Sequence, residues 1–115
     1  MAGRQGLRLR HIKDSIRSIR EMLDGRTQAD IAGDKYARAA LERFFEIISE
    51  ASRHLPEDWR QSLGADVPWS KIAGFGNILR HAYEHVELSV LWSIYTDELD
   101  PLERAIDAMI ATHGK

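Results

Sequence analysis

Apolar residues recur every three or four positions along much of this chain, and that spacing gives an α-helix one apolar face. The first run, Ile12, Ile16, Ile19 and Leu23, predicts a helix over about residues 7–23 that ends at Asp24-Gly25. A second and more regular run predicts a helix over residues 34–54, capped by Gly33-Asp34 and stopped by Pro56. We find no segment with a convincing strand pattern.

The second half of the chain continues in the same way after an interruption. Residues 56–70 hold two prolines, a glycine and two tryptophans, which favours a short helical turn near residues 57–63 and then a loop. We predict a third helix over residues 71–95 and a fourth that begins at Asp100-Pro101. Because the connections are short, we expect one all-α domain over residues 1–115. It would be an antiparallel up-down bundle of four main helices plus the short turn.

Composition excludes several classes of protein. The 115 residues contain no cysteine, which excludes disulfides, thiolate metal sites and cysteine nucleophiles. No apolar run approaches the roughly 18 residues that cross a bilayer. The first 15 residues lack the apolar core of a secretory signal. We therefore expect a cytoplasmic protein without membrane contact.

The basic residues are unevenly placed. The whole chain has a formal charge of −2, which is not typical of a general nucleic-acid binder. Residues 1–20 nevertheless carry an excess of five positive charges, from Arg4, Arg8, Arg10, Lys13, Arg17 and Arg20 against Asp14. Such a basic strip could follow the phosphates of a nucleic acid, or it could be an ordinary solvated helix face.

Two apolar stripes are wide for a monomer of this size. They contain Phe44, Phe45, Ile47 and Ile48 in the second predicted helix and Leu88, Leu91, Trp92 and Tyr95 in the third. Large apolar surface of this kind is typically buried by a partner. The stripes therefore predict a homodimer with two-fold symmetry.

Polar side chains that could carry chemistry cluster in the third predicted helix. Asn77 and His81 share one face of that helix, and Arg80 and Glu84 share another. Residues 81–85 also read His-x-x-E-His, the string of inverted zinc peptidases. Only 30 residues follow it, too few for a further ligand and a substrate cleft. We expect no metal ion and no cofactor.

Four segments together resemble the HepT-like toxins of the HEPN superfamily. They are residues 7–22 (LRLRHIKDSIRSIREM), residues 34–58, residues 67–86 (VPWSKIAGFGNILRHAYEHV) and residues 90–106. The resemblance implies a HEPN-like helical bundle and a metal-independent ribonuclease that acts on RNA, with tRNA as the expected substrate. It also implies a toxin paired with an MntA-like nucleotidyltransferase antitoxin, and a homodimer in which both motifs line one cleft.

The family's active motif is an arginine, four to six residues, a histidine, one residue and a tyrosine. By resemblance, His81 would transfer protons, Asn77 would hold the phosphate or His81, and Tyr83 would accept AMP from the antitoxin. Gly76 stands where the motif arginine is expected, and Arg80 is the nearest arginine. We therefore expect an impaired enzyme, with Gly76 either an engineered substitution or a natural loss. Two alternatives remain, an inactive helical subunit that docks a nucleotidyltransferase and a plain structural dimer.

Overall fold

The computed structural model describes residues 3–81 and 87–113, and the side chain of His81 lies outside that description. The described residues form seven helices and no strand. The helices are α1 (Gly3–Leu23), α2 (Gln28–Ala32), α3 (Lys35–Arg53), α4 (Glu57–Leu63), α5 (Trp69–His81), α6 (Leu88–Asp97) and α7 (Leu99–His113). The all-α class is confirmed.

The ends of α1 and α3 follow the signals in the sequence. Gly25 has a φ of 71°, a left-handed conformation that glycine adopts without strain, and it closely follows the end of α1. The Asp34 carboxylate accepts hydrogen bonds from the backbone N–H groups of Tyr36 and Ala37 and so caps the start of α3. The predicted short turn at residues 57–63 is α4.

The predicted single helix over residues 71–95 is wrong. Within the described residues α5 reaches His81, Glu87 is extended with a ψ of 125°, and α6 begins at Leu88. The physical reason lies in the packing. α5 packs chiefly against α3, whereas α6 packs mainly against α7 and α2 and less against α3, so the two segments have different principal neighbours. α2 was not predicted because its five residues are too short for a periodic pattern, although a Thr27–Asp30 capping box marks its start.

The core lies where α1 is sandwiched between α3 and α7. Its fully buried side chains include Leu9, Ile12, Ile16, Ile19, Leu41, Ile48, Leu102 and Ile106. On the outer face, Lys13 pairs with Glu103 and Asp107, and Arg20 pairs with Glu103 and Asp100. The numbering runs in opposite directions along the two helices, so α1 and α7 are antiparallel. α3 also packs against α5.

The wide apolar stripes are largely covered within the chain itself. Phe45, Ile48, Leu88 and Leu91 are buried. The other four members, Phe44, Ile47, Trp92 and Tyr95, are partly exposed. Less apolar surface is therefore left for a second subunit than the sequence pattern indicated. Among the described helices, none is both long and apolar enough to span a bilayer.

Candidate RNA-binding groove

The motif-bearing helix α5 is held against α3 by a close contact between small residues. Ser49 on α3 is buried, and its hydroxyl accepts a hydrogen bond of 3.0 Å from the backbone N–H of Gly76. The same hydroxyl donates a hydrogen bond of 3.0 Å to the backbone carbonyl of Ala73. One side chain of α3 therefore binds two successive turns of α5 and fixes the position of the motif segment.

Position 76 has no room for a side chain in this arrangement. A β-carbon there would lie 2.6 Å from the Ser49 β-carbon and closer still to the Ser49 hydroxyl. Gly76 is thus required by the close approach of the two helices, and its backbone has no unusual φ. The arginine that the motif places at position 76 would need the space that Ser49 fills.

Arg80 lies on the next turn of α5 and reaches back towards position 76, as helical side chains do. Its Nη1 would be 3.7 Å from a β-carbon at position 76. Nη1 donates a hydrogen bond of 3.0 Å to Glu50 Oε2, and Nη2 lies 3.5 Å from Asn77 Oδ1. The structure therefore brings Arg80 and Asn77 together and places a guanidinium beside the motif position that holds glycine.

Glu50 on α3 is the acidic partner of several basic groups. Besides Arg80, its carboxylate contacts Arg53 Nη1 at 3.6 Å and His54 Nε2 at 3.3 Å. The hydrogen bond with His54 is the largest cause that holds the pKa of Glu50 below its ordinary value. Burial opposes it, and the charges of Arg53 and Arg80 add to the lowering. Glu50 is consequently ionised at neutral pH.

These residues form one end of an open groove of about 880 Å³ that α1, α3 and α5 line together. Its lining includes the five arginines Arg4, Arg8, Arg43, Arg53 and Arg80 and the two glutamates Glu46 and Glu50, a formal charge of +3 with the histidines neutral. Leu7 and Ile47 supply an apolar part of the wall. A groove of this charge attracts polyanions.

The basic strip of residues 1–20 is divided between two faces of α1. Arg4, Arg8 and His11 line the groove. Lys13 and Arg20 are instead engaged by the acidic residues of α7. Only part of the strip therefore faces the groove, and its role in binding nucleic acid stays a prediction.

The described residues contain only part of the predicted site. His81 is the last residue of α5, so its backbone follows Arg80 directly, but its side chain and the whole of Tyr83 lie outside the description. The string of residues 81–85 that resembles a zinc-peptidase motif also falls largely outside it. The roles of His81, Asn77, Arg80 and Tyr83 stay predictions.

Sequence reasoning missed the contribution of α3. Ser49, Arg53 and His54 were not predicted as site residues, and Glu50 lies in a segment that carries the family resemblance without a predicted role of its own. Their relevance depends on which face of α3 meets α5, a property that periodicity alone does not give. Two segments that are far apart in sequence supply the three basic residues around Glu50 in the groove, which are Arg53, His54 and Arg80.

Comparison with known proteins decides the family. The family model described as Ribonuclease HepT-like matches residues 12–109, from the first half of α1 to near the end of α7. The chain belongs to the HepT-like ribonuclease family. The groove and the motif helix described above are therefore those of a HepT-like protein.

Several curated relatives match along most of the chain. "Probable ribonuclease HepT" of Thermococcus cleftensis is 33% identical over 95 residues, which cover 83% of this chain and 86% of that protein. "Putative RNase TTE0752" of Caldanaerobacter subterraneus subsp. tengcongensis is 30% identical over 102 residues, or 89% and 90% of the two chains.

One relative is a longer protein. "Gamma-glutamylcyclotransferase and putative RNase MJ0434" of Methanocaldococcus jannaschii is 32% identical over 98 residues, which cover 85% of this chain and 44% of that protein. The chain therefore spans less than half of that relative. No solved structure matches the chain.

Proposed function

We propose that this HepT-like protein is a metal-independent ribonuclease that binds RNA in the groove between α1, α3 and α5. The observation that carries the proposal is the convergence of five arginines on a groove whose edge is the motif end of α5. Phosphate contacts from arginine provide most of the affinity of proteins for RNA and DNA backbones. Family membership supplies the reaction class.

The expected chemistry needs no external cofactor. The 2′-hydroxyl of a ribose attacks the adjacent phosphorus, a 2′-oxygen–phosphorus bond forms, and the bond to the 5′-oxygen breaks. His81 transfers the proton of the 2′-hydroxyl and returns a proton to the leaving 5′-oxygen. The Arg80 guanidinium stabilises the charge that develops on the phosphate oxygens, and Asn77 helps to orient Arg80.

We expect the chain to be a weak enzyme. Loss of one contact that stabilises transition-state charge typically costs about 100- to 1,000-fold in rate. Position 76 supplies no such contact, because it holds glycine and is closed by Ser49. Arg80 is the remaining candidate on α5, and its side chain is about one-third exposed to solvent.

The partners follow from the same proposal. The protein would act in the cytoplasm as the toxin of a toxin–antitoxin pair, with tRNA as its substrate and an MntA-like nucleotidyltransferase as its antitoxin. It would form a homodimer in which the α5 ends of both subunits line one cleft. The antitoxin would silence it by transferring AMP to Tyr83.

The direct test is cleavage of RNA in the presence of EDTA. Total tRNA and an unstructured RNA of equal length are incubated with the protein and with His81→Ala. We expect slow cleavage of tRNA by the wild-type protein that EDTA leaves unchanged and that His81→Ala abolishes. Equal products from both proteins would identify a contaminating nuclease and contradict the assignment.

A second candidate is an inactive subunit that docks a nucleotidyltransferase. The closed position 76 favours it, because the protein has adapted its α3–α5 packing to the absence of a side chain there. This candidate predicts a stable complex with the nucleotidyltransferase and no RNA cleavage by the protein alone. Sedimentation of the mixture measures the complex and also tests for the homodimer.

A further inference from the structure

Three basic groups converge on the carboxylate of Glu50. Arg80 of α5 and Arg53 of α3 both approach Oε2, at 3.0 and 3.6 Å, and His54 Nε2 lies 3.3 Å from Oε1. Both oxygens of the carboxylate are therefore engaged by side chains from two separate segments of the chain. No other carboxylate lining the groove is engaged in this way among the described residues, since Glu46 pairs with Arg43 of its own helix.

The geometry around Glu50 is also suitable for a phosphate. Guanidinium groups bind carboxylates and phosphates through the same planar arrangement of N–H donors. The two Glu50 oxygens can therefore be regarded as standing in for two oxygens of a phosphodiester. The basic groups lie in the groove wall that an RNA backbone would follow, together with Arg43 and the arginines of α1.

A ligand can displace the Glu50 carboxylate from these basic groups. Half of the Glu50 side chain is exposed, as are about half of Arg53 and His54. Ion pairs in such positions contribute little because solvent and salt screen them. A phosphate of an RNA that is already held along the groove can therefore take the place of the carboxylate, which is free to turn towards solvent.

We propose that Arg53, His54 and Arg80 form a phosphate-binding subsite of the groove, and that Glu50 is the internal anion that occupies this subsite until an RNA phosphate displaces it. The inference rests on the proposed function, and it adds to it the position of one phosphate and a residue that lowers affinity for RNA. Glu50 would limit non-specific binding of single phosphates, because only a polyanion with further contacts in the groove can displace it.

The test measures binding of a 12-nucleotide RNA with 2′-O-methyl groups, which the proposed reaction cannot cleave. Its affinity is determined by fluorescence anisotropy for the wild-type protein, Glu50→Gln and the matched control Glu46→Gln. Both variants remove one negative charge from the groove, but only the first frees the three basic groups. We expect Glu50→Gln to bind the RNA at least about threefold more tightly than Glu46→Gln does, because the RNA no longer has to break the ion pairs of Glu50.

A second pair of variants identifies the subsite without changing Glu50. Arg53→Gln and Arg43→Gln each remove one positive charge from α3. Arg53 belongs to the subsite, whereas Arg43 lies outside it. We expect Arg53→Gln to weaken RNA binding more than Arg43→Gln and to abolish the gain caused by Glu50→Gln in the double variant. Circular dichroism checks that each variant is folded. If a glutamate variant is unfolded, the comparison of Arg53→Gln with Arg43→Gln tests the subsite by itself.

The outcomes separate the subsite from the catalytic proposal. Equal gains from the two glutamate variants, equal losses from the two arginine variants, or no binding of the RNA by any of them would each overturn the subsite. The expected pattern of binding together with no cleavage of ordinary RNA by the wild-type protein would support the subsite and overturn the ribonuclease proposal alone.

Discussion

The hydroxyl of Ser49 on α3 fills the space that a side chain at position 76 on α5 would need, and it bonds to the Gly76 N–H instead. Residues 49 and 76 are therefore coupled. The glycine at position 76 is a packing requirement of this protein as well as a missing arginine. Any experiment that restores the arginine has to deal with Ser49 at the same time.

Alanine substitutions at two glycines of α5 test this coupling. Gly76→Ala forces its β-carbon into Ser49, and we expect a loss of about 1–3 kcal/mol in the free energy of unfolding. A β-carbon at Gly74 meets no neighbouring atom within 4 Å. Gly74→Ala should instead stabilise the protein by about 0.5–1 kcal/mol, because alanine favours the helix. Chemical denaturation measures both values.

A double variant shows whether the loss comes from Ser49. The two atoms that would lie closest to a β-carbon at position 76 both belong to the Ser49 side chain. Ser49→Gly in the Gly76→Ala background should therefore lower stability less than the sum of the two single losses. Additive losses would mean that the strain arises elsewhere in the α3–α5 contact.

The coupling between Ser49 and position 76 also affects any attempt to restore ribonuclease activity with an arginine. We expect Gly76→Arg alone to unfold at a lower temperature than the wild-type protein, because its side chain starts inside the contact with Ser49. Ser49→Gly/Gly76→Arg provides the room, and we expect it to cleave RNA about 100-fold faster than the wild-type protein. Addition of His81→Ala to the double variant is the control. A folded double variant with unchanged activity would contradict a catalytic role for an arginine at position 76.

Acid should weaken the contact between α1 and α7 through Glu103. Burial alone would raise the pKa of Glu103, but hydrogen bonds and charges from Lys13 and Arg20 outweigh it and lower the pKa below the ordinary 4.5. A lowered carboxyl pKa stabilises the folded protein above the unfolded value, and this stabilisation is lost as the pH falls through the folded value. Glu103→Gln should therefore cost about 1 kcal/mol at pH 7, and this cost should shrink as the pH is lowered below 4.5.

Asp107 provides the matched control for Glu103. It also pairs with Lys13, but about half of its side chain is exposed. Asp107→Asn should change the stability at pH 7 far less than Glu103→Gln, because solvent screens its ion pair. Equal effects of the two variants would show that burial of Glu103 between Lys13 and Arg20 is not what makes its contacts stabilising.

Two arginines of α1, Arg8 and Arg10, should differ in RNA binding. Arg8 lines the groove, whereas Arg10 is exposed on α1 and does not belong to the described groove lining. Arg8→Gln should weaken RNA binding and reduce the slope of log K against log salt by about 0.7, the value for one phosphate contact to a single strand. Arg10→Gln should leave the slope unchanged. Identical slopes for both variants would remove α1 from the RNA site.

Much of the fold could be predicted from the sequence because its signals are local. The apolar spacing from Ile12 to Leu23 and the Asp34 cap predict α1 and α3 correctly. The division between α5 and α6 could not be predicted, because both segments are amphipathic and only their different neighbours separate them. The same holds for the site. The motif gave Asn77 and His81 as candidates, with Arg80 as the nearest arginine, and their roles stay predictions. The contacts of Ser49 and Glu50 join different helices, and periodicity does not specify such contacts.

Tyr83 is the expected acceptor of AMP. Transfer of AMP joins the α-phosphate of ATP to the tyrosine oxygen, the tyrosine loses its proton, and pyrophosphate leaves. The added phosphate would bring negative charge and a bulky base close to the RNA site, and like-charge repulsion would oppose RNA binding. Incubation with the cognate nucleotidyltransferase and ATP should therefore produce an AMP adduct, seen by mass spectrometry, and weaker RNA binding.

Tyrosine variants identify the acceptor residue. Tyr83→Phe should abolish the adduct, whereas Tyr36→Phe should leave its yield unchanged. Tyr36 is the stringent control because it is 77% exposed and therefore open to any unselective modification. An adduct that persists at full yield in Tyr83→Phe would exclude Tyr83 as the acceptor. Loss of the adduct in Tyr36→Phe alone would place the modification on α3, away from the motif helix.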